Sequence, residues 1–182
     1  KNMNTYVAFL RGIKVGGNNI IKMEALRAEF ENLGFRSVKT YIQSGNVIFQ
    51  SELEDKTEIE NMIERDLTSA FKYKAKVLIR SKKDMEKTIS HFPEIFKDSN
   101  WKHNVIFLMQ EINSKDTLKQ FKIKAGIEQI SYYNGVLFWS TKMDKITKST
   151  IIKLPKQKEY KQMTIRNINT TKKILDLMND IT

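Results

Sequence analysis

The residues best suited to chemistry lie near the start of the chain, in LRGIKVGGNN, Leu10 to Asn19. Arg11 is followed by Gly12, Gly16 and Gly17, and then by Asn18 and Asn19. A glycine loop between a strand and a helix offers free backbone N–H groups and the positive end of a helix dipole, which together suit an anion. Arginine adds a bidentate donor. The stretch is not a Walker A loop, because no Gly-Lys-Ser/Thr follows. It is not G-x-G-x-x-G either, and no acid stands where a ribose would need one. A tight turn that needs positive φ accounts for the glycines equally well. Both readings stand at this point.

Two further stretches carry polar groups at turns. QSGN (43–46) brings Gln43, Ser44 and Asn46. TIRNINTTKK (164–173) brings Thr164, Arg166, Asn167, Thr170, Lys172 and Lys173. In the latter, Asn169 or Thr170 is predicted to cap a final helix. Lys172 and Lys173 then fall in its first turn, where cations oppose the dipole. No acid offsets them before Asp176. The segment is therefore a second anion candidate, alongside the simpler reading as a solvated basic surface.

Other chemistries are poorly supplied. The chain has no cysteine, which excludes disulfides, a thiol nucleophile and a thiolate metal site. His91 and His103 lack neighbours at metal-ligand spacing and read as ordinary histidines; no metal is expected. Ser44 lacks the G-x-S-x-G elbow. Trp101, Trp139, Tyr132 and Tyr133 read as core and strand residues, and no RNA-recognition consensus is present.

The chain has 182 residues, 40% hydrophobic and 29% charged, as in a globular protein with one sizeable core or two small ones. Its net charge of +11 comes from 26 lysines and only 6 arginines against 21 acids. Lysine surplus suits a solvated surface better than specific base recognition, which leans on arginine. The charge is uneven: Lys142 to Lys173 holds 10 basic and 2 acidic residues, a net +8. No apolar run approaches the ~20 residues needed to span a bilayer. YVAFL is too short for a signal-peptide core, so a cytoplasmic location is expected. Met3 reads as the natural start, with Lys1 and Asn2 set aside.

The elements that must position these residues follow from periodicity. NTYVAFLR (4–11) reads as a buried strand. KMEALRAEFENLGF is an amphipathic helix with Gly34 beyond its end. SVKTYIQSGNVIFQS (37–51) is a hairpin around SGN. A second helix places Ile59, Met62, Ile63, Leu67 and Phe71 inward, and KAKVLIRS (74–81) is a fourth strand. The order β-α-β-β-α-β is the ferredoxin-like unit. After a linking helix from Lys82 to Phe92 the pattern repeats. A strand covers 103–110, and a short helix ends at Gly126. A hairpin turns at Asn134-Gly135. KITKSTIIKL is helical, QMTIR is a strand, and a last helix runs from Asn169 to Asp180 with Ile174, Leu175 and Met178 inward. The fold class is α+β with two ferredoxin-like (βαββαβ) halves and antiparallel sheets. The expected organisation is a first unit over 1–81, a linking helical segment over 82–102 and a second unit over 103–182. In such a unit the end of strand one lies beside the start of strand three. The Arg11 loop and the QSGN turn therefore share one end of a sheet.

YVAFLRGIKVGGNN, the spaced M..LR and LGF, and TYIQSGNVIF together resemble an uncharacterised bacterial family, domain of unknown function 1697. The closing T.RN…T resembles that family's end motif. The resemblance covers the whole chain and implies a small α+β protein of two ferredoxin-like halves, with no established activity, substrate or cofactor. Carried over by position, it marks Arg11, Gly12, Gly16, Gly17, Gln43, Ser44, Gly45, Asn46, Thr164, Arg166, Asn167 and Thr170. The family's usual tryptophan after the Arg-Asn pair is replaced here by Ile168.

The leading functional expectation is a protein that binds a small anionic or phosphorylated ligand at the Arg11 loop and the 43–46 turn. One alternative is a nucleic-acid-binding module using the basic C-terminal region. Another is a group-transfer enzyme that works by positioning and charge alone, with no catalytic motif to name. No membrane partner is expected, and edge strands could pair two copies into a homodimer.

Overall fold

A computed structural model describes residues 2–12, 21–41 and 45–181. Among these, the element order is β1 (Asn4–Arg11), α1 (Met23–Asn32), β2 (Arg36–Tyr41), β3 (Asn46–Ser51), α2 (Lys56–Phe71), β4 (Lys76–Ser81), α3 (Lys82–Ser90), β5 (Trp101–Leu108), β6 (Glu128–Tyr133), β7 (Val136–Lys142), β8 (Met163–Asn167) and α4 (Ile168–Asn179), with short 3₁₀ turns between them. Two four-stranded antiparallel sheets form, in the orders β2-β3-β1-β4 and β6-β7-β5-β8. Both are the ferredoxin-like order. The chain divides into two compact units, Lys1–Glu86 with Lys173–Thr182, and Lys87–Lys172. The sequence alone assigns all of 103–182 to one unit; the segment from Lys173 onward belongs instead with the first.

In the first unit, alternation along β1 sends Tyr6, Ala8 and Leu10 into a core shared with Val47, Phe49, Val77 and Ile79. Helix α1 closes that core with Leu26 and Phe30, and α2 with Ile59, Ile63 and Leu67, all fully buried. Each such side chain contributes about 1.5–3 kcal/mol of transfer free energy. The rings of Phe30, Phe35 and Phe49 meet at centroid distances of 4.5–6.0 Å. The Asp55 carboxylate caps α2, accepting from Thr57 N at 2.9 Å and Glu58 N at 3.4 Å. Gly34, at φ +93°, follows the last turn of α1 as the sequence predicts.

Strand β4 lies at a sheet edge, and its outward amides are satisfied by α2. Thr68 Oγ1 accepts from Ala75 N (3.1 Å), Glu64 Oε2 from Val77 N (3.0 Å) and Glu60 Oε1 from Ile79 N (3.2 Å). Residues four apart on a helix thus meet residues two apart on a strand. This edge is closed to strand pairing with a second chain. At its end, Ser81 and Asp84 form a reciprocal capping box for α3, with Asp84 N to Ser81 Oγ at 3.0 Å and Ser81 N to Asp84 Oδ2 at 2.8 Å. Burial alone would raise the Asp84 carboxyl; hydrogen bonds from Lys56 and Ser81 outweigh it and hold it below the usual range. A depressed carboxyl contributes stability that is present at neutral pH and lost as the pH falls below the ordinary aspartate range.

The second unit keeps the strands but not the helices. Its hairpin turns at Asn134 (φ +28°) and Gly135 (φ +87°), both positive as a type I′ turn demands. The short helix expected before Gly126 is a 3₁₀ segment, Lys115–Gln120, and Phe121 is already extended. Ser114 Oγ accepts from Asp116 N and the Thr117 hydroxyl donates to Ile112 O at 2.6 Å, so side chains take the backbone groups that an α-helix would use. The helix expected over KITKSTIIKL is likewise split between the 3₁₀ segments Met143–Lys148 and Thr150–Lys156, and a third, Lys158–Gln162, follows. Ser149 caps the middle segment, Pro155 interrupts it, and the buried Glu128 carboxylate takes both Thr150 N (2.5 Å) and Thr150 Oγ1 (2.6 Å). These segments still cover a core of Ile106, Leu108, Leu137, Trp139 and Met163.

Truncating Glu64 to alanine leaves Val77 N–H without its acceptor and is expected to cost about 1–3 kcal/mol in urea unfolding. Glu64→Gln, which keeps an acceptor oxygen, recovers most of that loss. An equal loss in both variants would assign the effect to charge rather than to the edge hydrogen bond.

Candidate functional site

Strand β1 pairs with β3 so that Phe9 lies opposite Asn46, and Leu10 N donates to Gly45 O at 2.8 Å. The exit of β1 and the entry of β3 therefore form one corner of the first sheet. Gly12 and Gly45 both have positive φ, +78° and +82°. A Cβ on Gly45 would lie 3.0 Å from Leu10 Cβ, and one on Gly12 would lie 3.4 Å from the Tyr73 ring. The steric reading of these two glycines is thus correct, and it also brings bare backbone to the corner. Asn46 is fully buried, and its Nδ2 donates to Tyr41 O at 3.1 Å, tying the hairpin across its own turn.

Parity along the strands decides which face the polar groups take. Because Tyr6, Ala8 and Leu10 face the helices, Val7, Phe9 and Arg11 take the opposite face. Directly across from Arg11 on β4 stands Lys76. Like charges in direct cross-strand register destabilise a sheet by roughly 0.2–1 kcal/mol. By the same registers Lys39 and Arg80 lie on this face, as do Asn46 and Tyr41, and no carboxylate among the described strand residues joins them. Burial lowers the Arg80 pKa, opposed by Asp84 and then Glu60. Tyr73, whose ring supports Gly12, is pushed up to about 12 by burial and then by Glu64, and its buried hydroxyl has no hydrogen-bond partner among the described residues. Lys76 and Tyr73 escape the sequence reading because only the β1–β4 register brings them to the corner.

The second unit repeats this corner with the arginine opposite valine kept but without counterparts of Arg11 and Lys76. Leu108 N donates to Gly135 O at 2.9 Å, as Leu10 N does to Gly45 O. Val105 faces Arg166 as Val7 faces Arg80, and Ile106 faces Ile165 as Ala8 faces Ile79. Phe107, however, faces Val136 where Phe9 faces Asn46. The position of Arg11 is held by Met109, and that of Lys76 by Gln162, which meet through Met109 N to Gln162 O at 2.8 Å. The scaffold alone therefore requires neither the cations nor the amide.

The other sequence-predicted residues fall as follows. Gly16, Gly17, Asn18, Gln43 and Ser44 lie outside the described residues. In the second candidate, the cap of α4 is Asn167 rather than Asn169 or Thr170: Asn167 Oδ1 accepts from Thr170 N at 2.8 Å, because the helix starts one residue earlier than its periodicity suggests. Thr164 and Arg166 are buried, with Arg166 Nη1 donating to Thr164 Oγ1 (2.7 Å) and Ile165 O (2.9 Å). Thr170 is buried, while Lys172 and Lys173 are exposed. His103 bridges Ser140 Oγ (2.7 Å) and Asp98 O (2.8 Å), and His91 stacks on Tyr133 at 3.8 Å. Among the described residues, no cluster of acids or histidines could hold a metal ion, and no helix is long and apolar enough to cross a membrane.

A family model described as "protein of unknown function (DUF1697)" matches residues 3–138. The solved structure of the conserved bacterial protein SP0830 from Streptococcus pneumoniae is 26% identical, covers 97% of this chain and 99% of that one, and superposes with a TM-score of 0.86. No curated protein matches the chain.

Gly45→Ala is expected to destabilise the protein by about 1–3 kcal/mol, since positive φ and the Leu10 contact act together. Gly34→Ala, with nothing within 4 Å, carries only the backbone penalty, about 1–2 kcal/mol. Thermal unfolding of the two variants separates the terms.

Proposed function

The chain belongs to the DUF1697 family, and from that premise we propose that it binds a small anionic or phosphorylated ligand at the corner where β1 ends and β3 begins. The observation that carries this reading is the meeting of Arg11 and Lys76 across β1 and β4, beside the bare backbone of Gly12 and Gly45. Arg11 pairs with the anion through its planar fork. Gly12 and Gly45 let backbone approach it, and Asn46 holds the hairpin that frames it. Gly16, Gly17, Asn18, Gln43 and Ser44, outside the described residues, are proposed to supply further N–H and amide groups. A cytoplasmic location fits such a ligand. Group transfer from a phosphorylated donor would use the same corner, with Arg11 stabilising charge rather than any residue moving a proton.

A second reading is favoured by a different observation. Lys148, Lys153, Lys156, Lys158 and Lys161 are all exposed on the 3₁₀ layer of the second unit, and Lys142 is exposed at the end of β7 just before it, where they could neutralise nucleic-acid phosphates. The exposed Lys172 and Lys173 extend the same basic stretch of sequence.

One thermal-shift panel separates the readings: nucleotides, sugar phosphates, inorganic phosphate and a DNA duplex, each at ~50 mM salt, where the electrostatic contribution is large. The first reading predicts a shift with small phosphates that Arg11→Ala abolishes. A duplex-dependent shift that survives Arg11→Ala and is lost on reversing Lys172 and Lys173 would favour the second. No shift with any probe contradicts both.

A further inference from the structure

We propose that a cavity at the other end of the first sheet from the Arg11 corner binds a free α-amino acid with an apolar side chain. The cavity measures about 330 Å³, at the lower end of the range for small-molecule sites, so it suits a compact ligand. It opens where β1 begins, β3 ends and α1 turns into β2. The partly buried Met3, Leu33 and Leu53 give it an apolar side, and the two leucines rest on the first core. Arg36 and Glu52 line it as well, and both are exposed. Neither side chain forms a hydrogen bond or ion pair with a described residue. Two opposite charges therefore border one small cavity without neutralising each other. An apolar amino acid matches that arrangement. Its carboxylate takes the Arg36 fork, its ammonium takes the Glu52 carboxylate, and its side chain rests on the leucines.

The walls of the cavity carry two further signs of a site. Ser51, buried in its lining, accepts from Leu53 N at 3.0 Å, while its own hydroxyl proton has no acceptor among the described residues. A ligand carboxylate would supply one. The backbone beside it is held in left-handed conformations. Gly34 has φ +93°, and a Cβ there would meet nothing within 4 Å. Ser37 has φ +53° and is fixed by its Oγ donating to Gln50 Oε1 at 3.0 Å. Such strain in a residue other than glycine clusters at ligand sites. It accompanies a bulge between Arg36 and Lys39, and bulges re-aim the side chains next to them. The second unit shows the same strand position without a cavity to fill. Thr141 faces Lys102 as Ser51 faces Asn4, and its Oγ1 pairs with Ser149 Oγ at 3.3 Å. Gln129 and Lys142 stand where Arg36 and Glu52 do. That unit supplies from its own chain the hydroxyl partner that the first leaves to a ligand, and it lacks the pair of opposite charges.

The test is ligand-observed saturation-transfer NMR with L-leucine, glycine, N-acetyl-L-leucine, L-leucinamide and N-acetyl-L-leucinamide, at neutral pH and low salt, where exposed ion pairs are least screened. L-Leucine is expected to bind saturably. Blocking either charged end is expected to weaken binding about fivefold, the scale of one exposed ion pair. Glycine, which lacks the apolar side chain, is expected to bind more weakly than L-leucine. Arg36→Gln is expected to bind L-leucine and L-leucinamide equally. Glu52→Gln is expected to bind L-leucine and N-acetyl-L-leucine equally. Both positions are exposed, and an unchanged unfolding midpoint confirms that each variant is folded. No saturable binding of L-leucine, equal binding of N-acetyl-L-leucinamide, or wild-type selectivity retained in both variants would overturn the inference.

Discussion

The antiparallel pairing of β1 with both its neighbours is the constraint on which the first unit depends. As a central strand, β1 must bury one face under α1 and α2, and that requirement fixes parity for the whole sheet. Once Leu10 faces the helices, Arg11 has no choice but the opposite face, at the point where the strand ends. The same pairing brings Gly45 against Leu10 so closely that a Cβ cannot be accommodated without movement. It also sets Lys76 opposite Arg11 at an energetic disadvantage. Structure and candidate chemistry are thus products of a single register.

Two halves with one topology show which features the scaffold needs. Both sheets keep a glycine that accepts from the leucine of the central strand, and both keep an arginine opposite valine on the closing edge strand. These shared residues serve strand geometry. What differs is chemically pointed: Arg11, Lys76 and Asn46 in one half, and Met109, Gln162 and Val136 in the other. The layers over the sheets differ as well. The first uses α-helices whose carboxylates cap a strand edge, while the second uses lysine-rich 3₁₀ turns held by Ser149 and the buried Glu128.

Local patterns made most of the fold legible in the sequence. The apolar, β-branched and aromatic run at YVAFL, glycine at hairpin turns and the spacing of Ile59, Ile63 and Leu67 each report a preference that tertiary structure leaves intact. The same patterns place the end of β1 beside the start of β3, because strand order follows from the element sequence. Lys76 was not legible, since a lysine at the start of an edge strand acquires meaning only from its register with β1. The 3₁₀ layer was hidden for a related reason. Helical spacing in KITKSTIIKL is real, but Glu128, 22 residues before Thr150, takes the amide that an α-helix would have used. The cap of α4 is Asn167 because its side chain reaches Thr170 N, a choice between polar residues two or three positions apart that composition does not decide.

The central claim is that one corner of the molecule, and not its twin, is built for an anion. The most direct measurement is an ¹H–¹⁵N NMR titration with inorganic phosphate, following the two corners at once. The account predicts saturable shifts of the Gly12 and Gly45 amides and of the Arg11 side-chain N–H, with Met109, Gln110 and Gly135 unmoved. Equal shifts at both corners, or movement confined to the lysine-rich turns of the second unit, would contradict it.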